Sequence, residues 1–228
     1  MIDHARDLES LREATERLLT AVGKLDNASV TEPSRLPGWS RGHVLAHLAR
    51  NADALVNVLE GRPMYASAAA RDADIERDAS RPLDVQLTDV RQSADRFQQA
   101  AAAPADWSRT VELRNGVTDA AARIPFRRWI EVELHHVDLG VGYELEDLPA
   151  EFLERETDFL TERFAGNPDV EPVRLTDGTR VWRTGRDADE PAITVRGTGS
   201  DLLGWLAGRR TGSALTVEGG TLPPLPPL

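Results

Sequence analysis

EVELHHVD, residues 131–138, gathers two glutamates and two histidines within six residues, with an aspartate just beyond them. Which of these side chains share a face decides how the chain is read. Pro125 opens the surrounding segment and Gly140 and Gly142 close it, which predicts a helix over 125–141. At about 100° per residue, Phe126, Leu134, Val137 and Val141 fall within about 40° of Ile130 and form one apolar stripe. Val132 and Leu139 form a second apolar patch on the opposite side. Glu131, His135 and Asp138 lie between the two. Glu133 and His136 fall on the other flank, which has no second apolar border. The stretch therefore divides into an i,i+4 pair, Glu131 and His135, between two apolar surfaces, and an i,i+3 pair, Glu133 and His136, on a different side.

Further helices flank this one. Leu8, Leu11, Leu18, Leu19 and Val22 recur at helical spacing over 3–25. EPSRLPGWS (32–40) is a Pro- and Gly-rich loop, and Ser40 is the expected cap of a helix running to about Glu60. That helix has Val44, Leu45, Leu48, Ala52, Leu55, Val56 and Leu59 on its apolar face. His47 stands at the edge of this face and His43 further out. More helices are expected over 83–103 and 149–164. The character changes near 166. VRLTDGTRVWR (173–183) reads as two strands around an Asp177-Gly178 turn, AITVRG as a third strand, SDLLGWLAGRR (200–210) as a short helix capped by Ser200, and ALTVEG as a last strand. The expected architecture is a helical bundle over 1–166 followed by a small α+β domain over 167–228.

A two-histidine, one-carboxylate set on facing bundle helices suits Zn²⁺ or another divalent transition metal and leaves a coordination position open for chemistry. His47, Glu131 and His135 are the candidates, with Asp138 placed to orient a ligand from behind. Glu131 and His135 at this spacing also fit an ordinary hydrogen-bonded pair, and joining His47 to them assumes the bundle topology. The 228-residue chain has no cysteine, so it offers no thiolate ligand and no nucleophilic thiol of its own. Its net charge of −11 argues against nucleic acid or an anionic membrane surface as partner, though not against a small anion held by local arginines. There is no spanning apolar run and no signal-like N-terminus, so a cytoplasmic location is expected. Arg127 and Arg128 are possible anion contacts, although arginines at a helix start are more often solvated. Trp39 is read as a packing anchor of its loop, and Asn51, one turn past His47, as a residue able to touch the site. His4 is read as surface. The sequence does not set the oligomeric state.

LPGWSRGHVLAHLARNADAL (36–55) together with RRWIEVELHHVDLG (127–140) resembles the mycothiol-dependent maleylpyruvate isomerase family, and VRGTGSDLLGWLAGRR (195–210) is similar to that family's small second domain. The resemblance implies a DinB-like four-helix bundle with a small C-terminal α+β domain. It implies a divalent metal, normally zinc, on His47, Glu131 and His135, and a functional arginine at Arg209, with Arg210 beside it sharing the ambiguity. It further implies mycothiol as thiol cosubstrate and a small anionic substrate, maleylpyruvate, converted to fumarylpyruvate in aromatic degradation through gentisate. A thiol S-transferase acting on another electrophile would share metal, thiol and scaffold. Neighbouring gentisate dioxygenase and fumarylpyruvate hydrolase genes would favour the isomerase. A metal-binding or sensing module without catalysis is the third reading, and failure of the metal-loaded protein to bind thiol would favour it.

Overall fold

The computed structural model describes residues 3–103, 105–186 and 190–227. They form two compact units, Met1–Tyr143 and Glu144–Leu228.

The first unit contains α1 (His4–Val22), the single turn α2 (Asn27–Val30), α3 (Arg41–Leu59), α4 (Ala68–Ala79), α5 (Leu83–Ala102), the strands β1 (Thr110–Glu112) and β2 (Thr118–Ala120), and α6 (Ile124–Asp138). Four of these helices make the bundle: α1 packs on α5 and α6, and α3 packs on the same two. Its centre is apolar, with Leu18, Leu45, Leu48, Phe97, Trp129 and Leu139 almost wholly buried. The start of α3 is fixed by a reciprocal cap. Ser40 Oγ accepts from the His43 backbone N–H at 3.4 Å, and His43 Nδ1 accepts from the Ser40 N–H at 3.2 Å. The loop before it is tied to the far end of α6, since the Arg35 N–H donates to the Asp138 carbonyl and Arg41 Nε to that of Leu139. These bonds hold α3 alongside α6 and set which turns of the two helices face each other.

Two elements differ from expectation. α4 has no helical signature in sequence, because only Ile75, Asp78 and Ala79 are buried along it. It docks on α3 where Gly42 has no side chain; a Cβ there would stand 1.9 Å from the Ala79 carbonyl oxygen. The β1–β2 hairpin turns through Asn115 (φ 61°) and Gly116 (φ 72°), an Asn-Gly pair of the kind that favours tight turns.

The second unit contains α7 (Ala150–Phe164), β3 (Val173–Thr176), β4 (Val181–Arg183), β5 (Ile193–Arg196), α8 (Gly199–Leu206) and β6 (Thr216–Glu218). Its sheet runs β4-β3-β5-β6, with β3 and β5 parallel and the outer pairs antiparallel. The expected boundary at 166/167 is displaced to 143/144, because α7 packs on α8 and β4. The turn between β3 and β4 spans 177–180 rather than two residues, since Asp177 Oδ1 accepts from both the Thr179 and Arg180 N–H groups at 2.7 Å. α8 is capped by Thr198, not Ser200.

Candidate metal centre

α3 and α6 bring three lone-pair donors to one point. His47 Nε2 lies 2.9 Å from Glu131 Oε2, and His135 Nε2 lies 3.2 Å from the same oxygen. One ligand atom from each of the three residues falls within 4.8 Å of the others, and among the described residues no other group of this kind occurs. The i,i+4 spacing of Glu131 and His135 puts both on the face of α6 that meets α3, and the loop bonds described above put His47 opposite them. The two imidazoles meet edge to face at 4.7 Å. Trp39 stands against His47 at 5.5 Å, so the loop anchor also walls the site.

Burial and mutual hydrogen bonds set the charges of the three residues. Burial drives the His47 imidazole down to about 4 against the pull of Glu131, so it is neutral at pH 7. Burial also opposes the charge on Glu131, but hydrogen bonds from His135 and His47 hold its carboxyl well below the usual range. For His135 burial works downward too, and the hydrogen bonds to Asp138 and Glu131 outweigh it and raise the imidazole. Two imidazole nitrogens and a carboxylate oxygen, converging in a mostly buried place, fit a divalent transition ion with a position left open. Asp138, buried to 1% exposure, takes the other nitrogen of His135, Oδ2 to Nδ1 at 2.8 Å. This carboxylate–histidine arrangement fixes the tautomer that points the Nε2 lone pair inward.

Around the donors lie groups that were only partly anticipated. Arg128 is 1% exposed, not solvated, and its Nη1 donates to Asn51 Oδ1 at 2.8 Å. Arg127 pairs with Asp119 at 2.6 Å. Tyr65 and Arg71, from the α3–α4 loop and α4, stand at the site too: Arg71 Nη2 is 3.3 Å from His47 Nδ1, and its guanidinium carbon lies 6.0 Å from the Tyr65 ring centre. Nothing in the sequence pattern marks these two, because the helix carrying Arg71 leaves no periodic trace. His4 stacks on Trp107 at 4.5 Å and is not a bare surface residue.

The other flank of α6 is more deeply buried than the first, despite its lack of a second apolar border. Glu133 is 0% exposed and His136 2%. Glu133 accepts from Arg17 at 2.6 Å, Trp129 Nε1 at 3.0 Å and the Tyr143 hydroxyl at 2.8 Å, and His136 stacks on Tyr143 at 4.0 Å. A cavity of about 610 Å³ opens on this flank, lined in part by Arg17, Lys24, His136 and Tyr143. Concavity and donor chemistry thus point to opposite sides of one helix.

Arg209 follows α8 in the second unit, half-buried, with Nη1 donating to the Ala207 carbonyl at 2.7 Å. The neighbouring Arg210 is engaged differently: it braces Asp201 and Glu146 at 2.6 Å each, a structural role that separates it from Arg209.

The family model described as the mycothiol maleylpyruvate isomerase N-terminal domain matches residues 11–140, and that of the corresponding C-terminal domain matches 147–227. Among solved structures, that of the mycothiol-dependent maleylpyruvate isomerase is similar with a TM-score of 0.89 at 27% identity, covering 99% of this chain and 97% of that one. A histidine-to-alanine mutant of a mycothiol-dependent maleylpyruvate isomerase matches with the same TM-score and coverage at 26% identity. No curated protein matches.

Proposed function

Because the chain belongs to the mycothiol maleylpyruvate isomerase family, we propose that it converts maleylpyruvate to fumarylpyruvate with mycothiol as thiol cosubstrate. The observation that carries the reading is the convergence of His47, Glu131 and His135 inside the matched N-terminal region. A carbon–carbon double bond does not rotate at useful rates. Addition of a thiolate leaves a single bond that does, and elimination of the same thiolate restores the alkene in its more stable trans form. The chain has no cysteine, so the sulfur comes from outside.

His47, Glu131 and His135 would hold the ion, which we take to be zinc. When bound, it supplies a site for the thiol sulfur and favours the reactive thiolate. The chain's own groups do the rest. Asp138 holds the proton on His135 Nδ1, which keeps the Nε2 lone pair directed at the centre. Trp39 excludes water from the side of His47. Arg209 is proposed to pair with a substrate carboxylate or with the enolate that forms on addition. No helix among the described residues is long and apolar enough to cross a membrane, and we propose a cytoplasmic enzyme of gentisate-type aromatic degradation.

The test is elemental analysis of the purified protein, paired with an isomerisation assay with and without mycothiol. Stoichiometric zinc with turnover only in the presence of the thiol is the expected result. Zinc without isomerisation would move the function to thiol transfer onto another electrophile, and failure to take up metal after reloading would remove the site.

A further inference from the structure

We propose that Arg71 and Arg128 form a carboxylate seat beside the triad, with Arg71 as the contact and Arg128 as the buried charge behind it, so that the first unit itself selects an anionic electrophile. The identity of that electrophile as a short dicarboxylate rests on the isomerase reading.

Arg128 is the first observation. A guanidinium removed from water is strongly unfavourable unless a carboxylate accompanies it. Arg128 is 1% exposed, yet its hydrogen bond is to a neutral amide, Asn51 Oδ1, and among the described residues no carboxylate forms an ion pair with it. Burial lowers its pKa to about 10, with Glu131, Tyr65 and Asp53 acting only at longer range in the other direction. It remains charged at pH 7, and its field in this poorly solvated place is weakly screened. Asn51 sits one turn past His47 on α3 and Arg128 almost one turn before Glu131 on α6, so the pair is the next layer of the same helix–helix contact.

Arg71 is the second observation. It donates from Nη2 to His47 Nδ1 at 3.3 Å, which requires that nitrogen to be an acceptor. A neutral His47 that gives its Nε2 lone pair to a cation must carry its proton on Nδ1 instead. Two N–H groups would then face each other, and Arg71 would have to find a different acceptor. Its remaining ion pair is to the adjacent Asp72, a largely exposed residue whose hold on it is weak. Arg71 lies against Tyr65, its guanidinium carbon 6.0 Å from the ring centre, and Tyr65 in turn acts electrostatically on Arg128. In a chain of net charge −11, attraction of an anion has to be local, and these two arginines supply it.

The experiment titrates maleate, a cis-dicarboxylate, into zinc-loaded full-length protein without thiol, read by calorimetry and thermal shift. The variants are Arg71→Gln, Arg71→Lys and Arg128→Gln, each with its metal content measured. Arg71→Gln should weaken maleate binding about 10- to 100-fold, the range of a charge-assisted hydrogen bond, while keeping its zinc. Arg71→Lys should fall between, since it keeps the charge and loses the fork. Arg128→Gln should weaken binding as well with zinc retained. In turnover the loss should appear in KM more than in kcat. Unchanged maleate affinity in Arg71→Gln overturns the proposal, and so does loss of zinc in that variant, which would make Arg71 a support for His47 only. Absence of maleate binding to the parent protein also overturns it. If the parent protein binds maleate through Arg71 yet fails to isomerise maleylpyruvate, the seat stands and the isomerase reading falls.

Discussion

The two flanks of α6 carry the same residue types and come to opposite ends. On one, Glu131 faces two imidazole nitrogens; on the other, Glu133 faces a guanidinium, an indole N–H and a phenol. Glu133 is fully buried and Glu131 half-buried, and both have a histidine close by in sequence. The difference lies in what the partners bring. Arg17, Trp129 and Tyr143 all donate protons, so the needs of Glu133 are met from within the chain. His47 and His135 bring lone pairs as well as protons, a donor set of the kind that suits a cation. Whether a glutamate and a histidine on a helix meet proton donors or further lone pairs is thus set by the elements opposite them.

Exchanging the flanks tests this most severely. His135→Ala should lose stoichiometric metal, with affinity falling by more than the roughly 10- to 100-fold typical of removing an orienting partner, while His136→Ala keeps its metal. Elemental analysis after dialysis against a weak chelator decides it, and the reverse pattern would break the comparison. Asp138→Asn sharpens it. Chelator competition should show affinity about 10- to 100-fold lower at high pH. The pH profile should move as well. Burial disfavours the charged form of His135, but Asp138 and Glu131 favour it more, so its pKa stands above the ordinary 6.5. The charged imidazole carries its second proton on Nε2, which metal must displace, so affinity is full above the raised value and falls as pH drops through it. Removing the Asp138 charge should move this fall to lower pH. The smallest effect belongs to the structural flank. Tyr143→Phe deletes one donor to a buried carboxylate and should lower unfolding free energy by about 1.5–3 kcal/mol, measured by denaturant titration, with metal content unchanged.

The triad was legible because both of its helices announce themselves. Ser40 and Pro125 mark their starts, and the apolar stripes fix the rotation of each, which leaves Glu131, His135 and His47 at inner edges. Helix wheels carry no information about what packs opposite a polar flank. Glu133 and His136 therefore appeared open, whereas α1 supplies Arg17 and the chain beyond α6 supplies Tyr143 to cover them. α4 escaped because AAARDADIERDA buries only three residues, and Tyr65 and Arg71 escaped with it. The β1–β2 turn was a different case, for Asn115-Gly116 is a recognisable signal between TVEL and VTDA. The domain boundary was displaced because composition changes after α7, while packing changes before it.

The way α4 is fastened has a mechanical consequence. Its buried residues all lie in its last five positions. There Gln86 Nε2 donates to the carbonyls of Gly42, Asp78 and Ala79, at 3.3, 3.1 and 3.0 Å, and Arg81 pairs with Asp78 at 2.5 Å. The helix is a cantilever, clamped at Ala79 and free toward Ser67, with Arg71 near the free end. Amide hydrogen exchange should be graded along it, fastest over the turn that carries Arg71 and slowest at the clamp. The Arg71 side chain, only 15% exposed and bonded to His47 Nδ1 at 3.3 Å, then ties this lightly buried end to the triad.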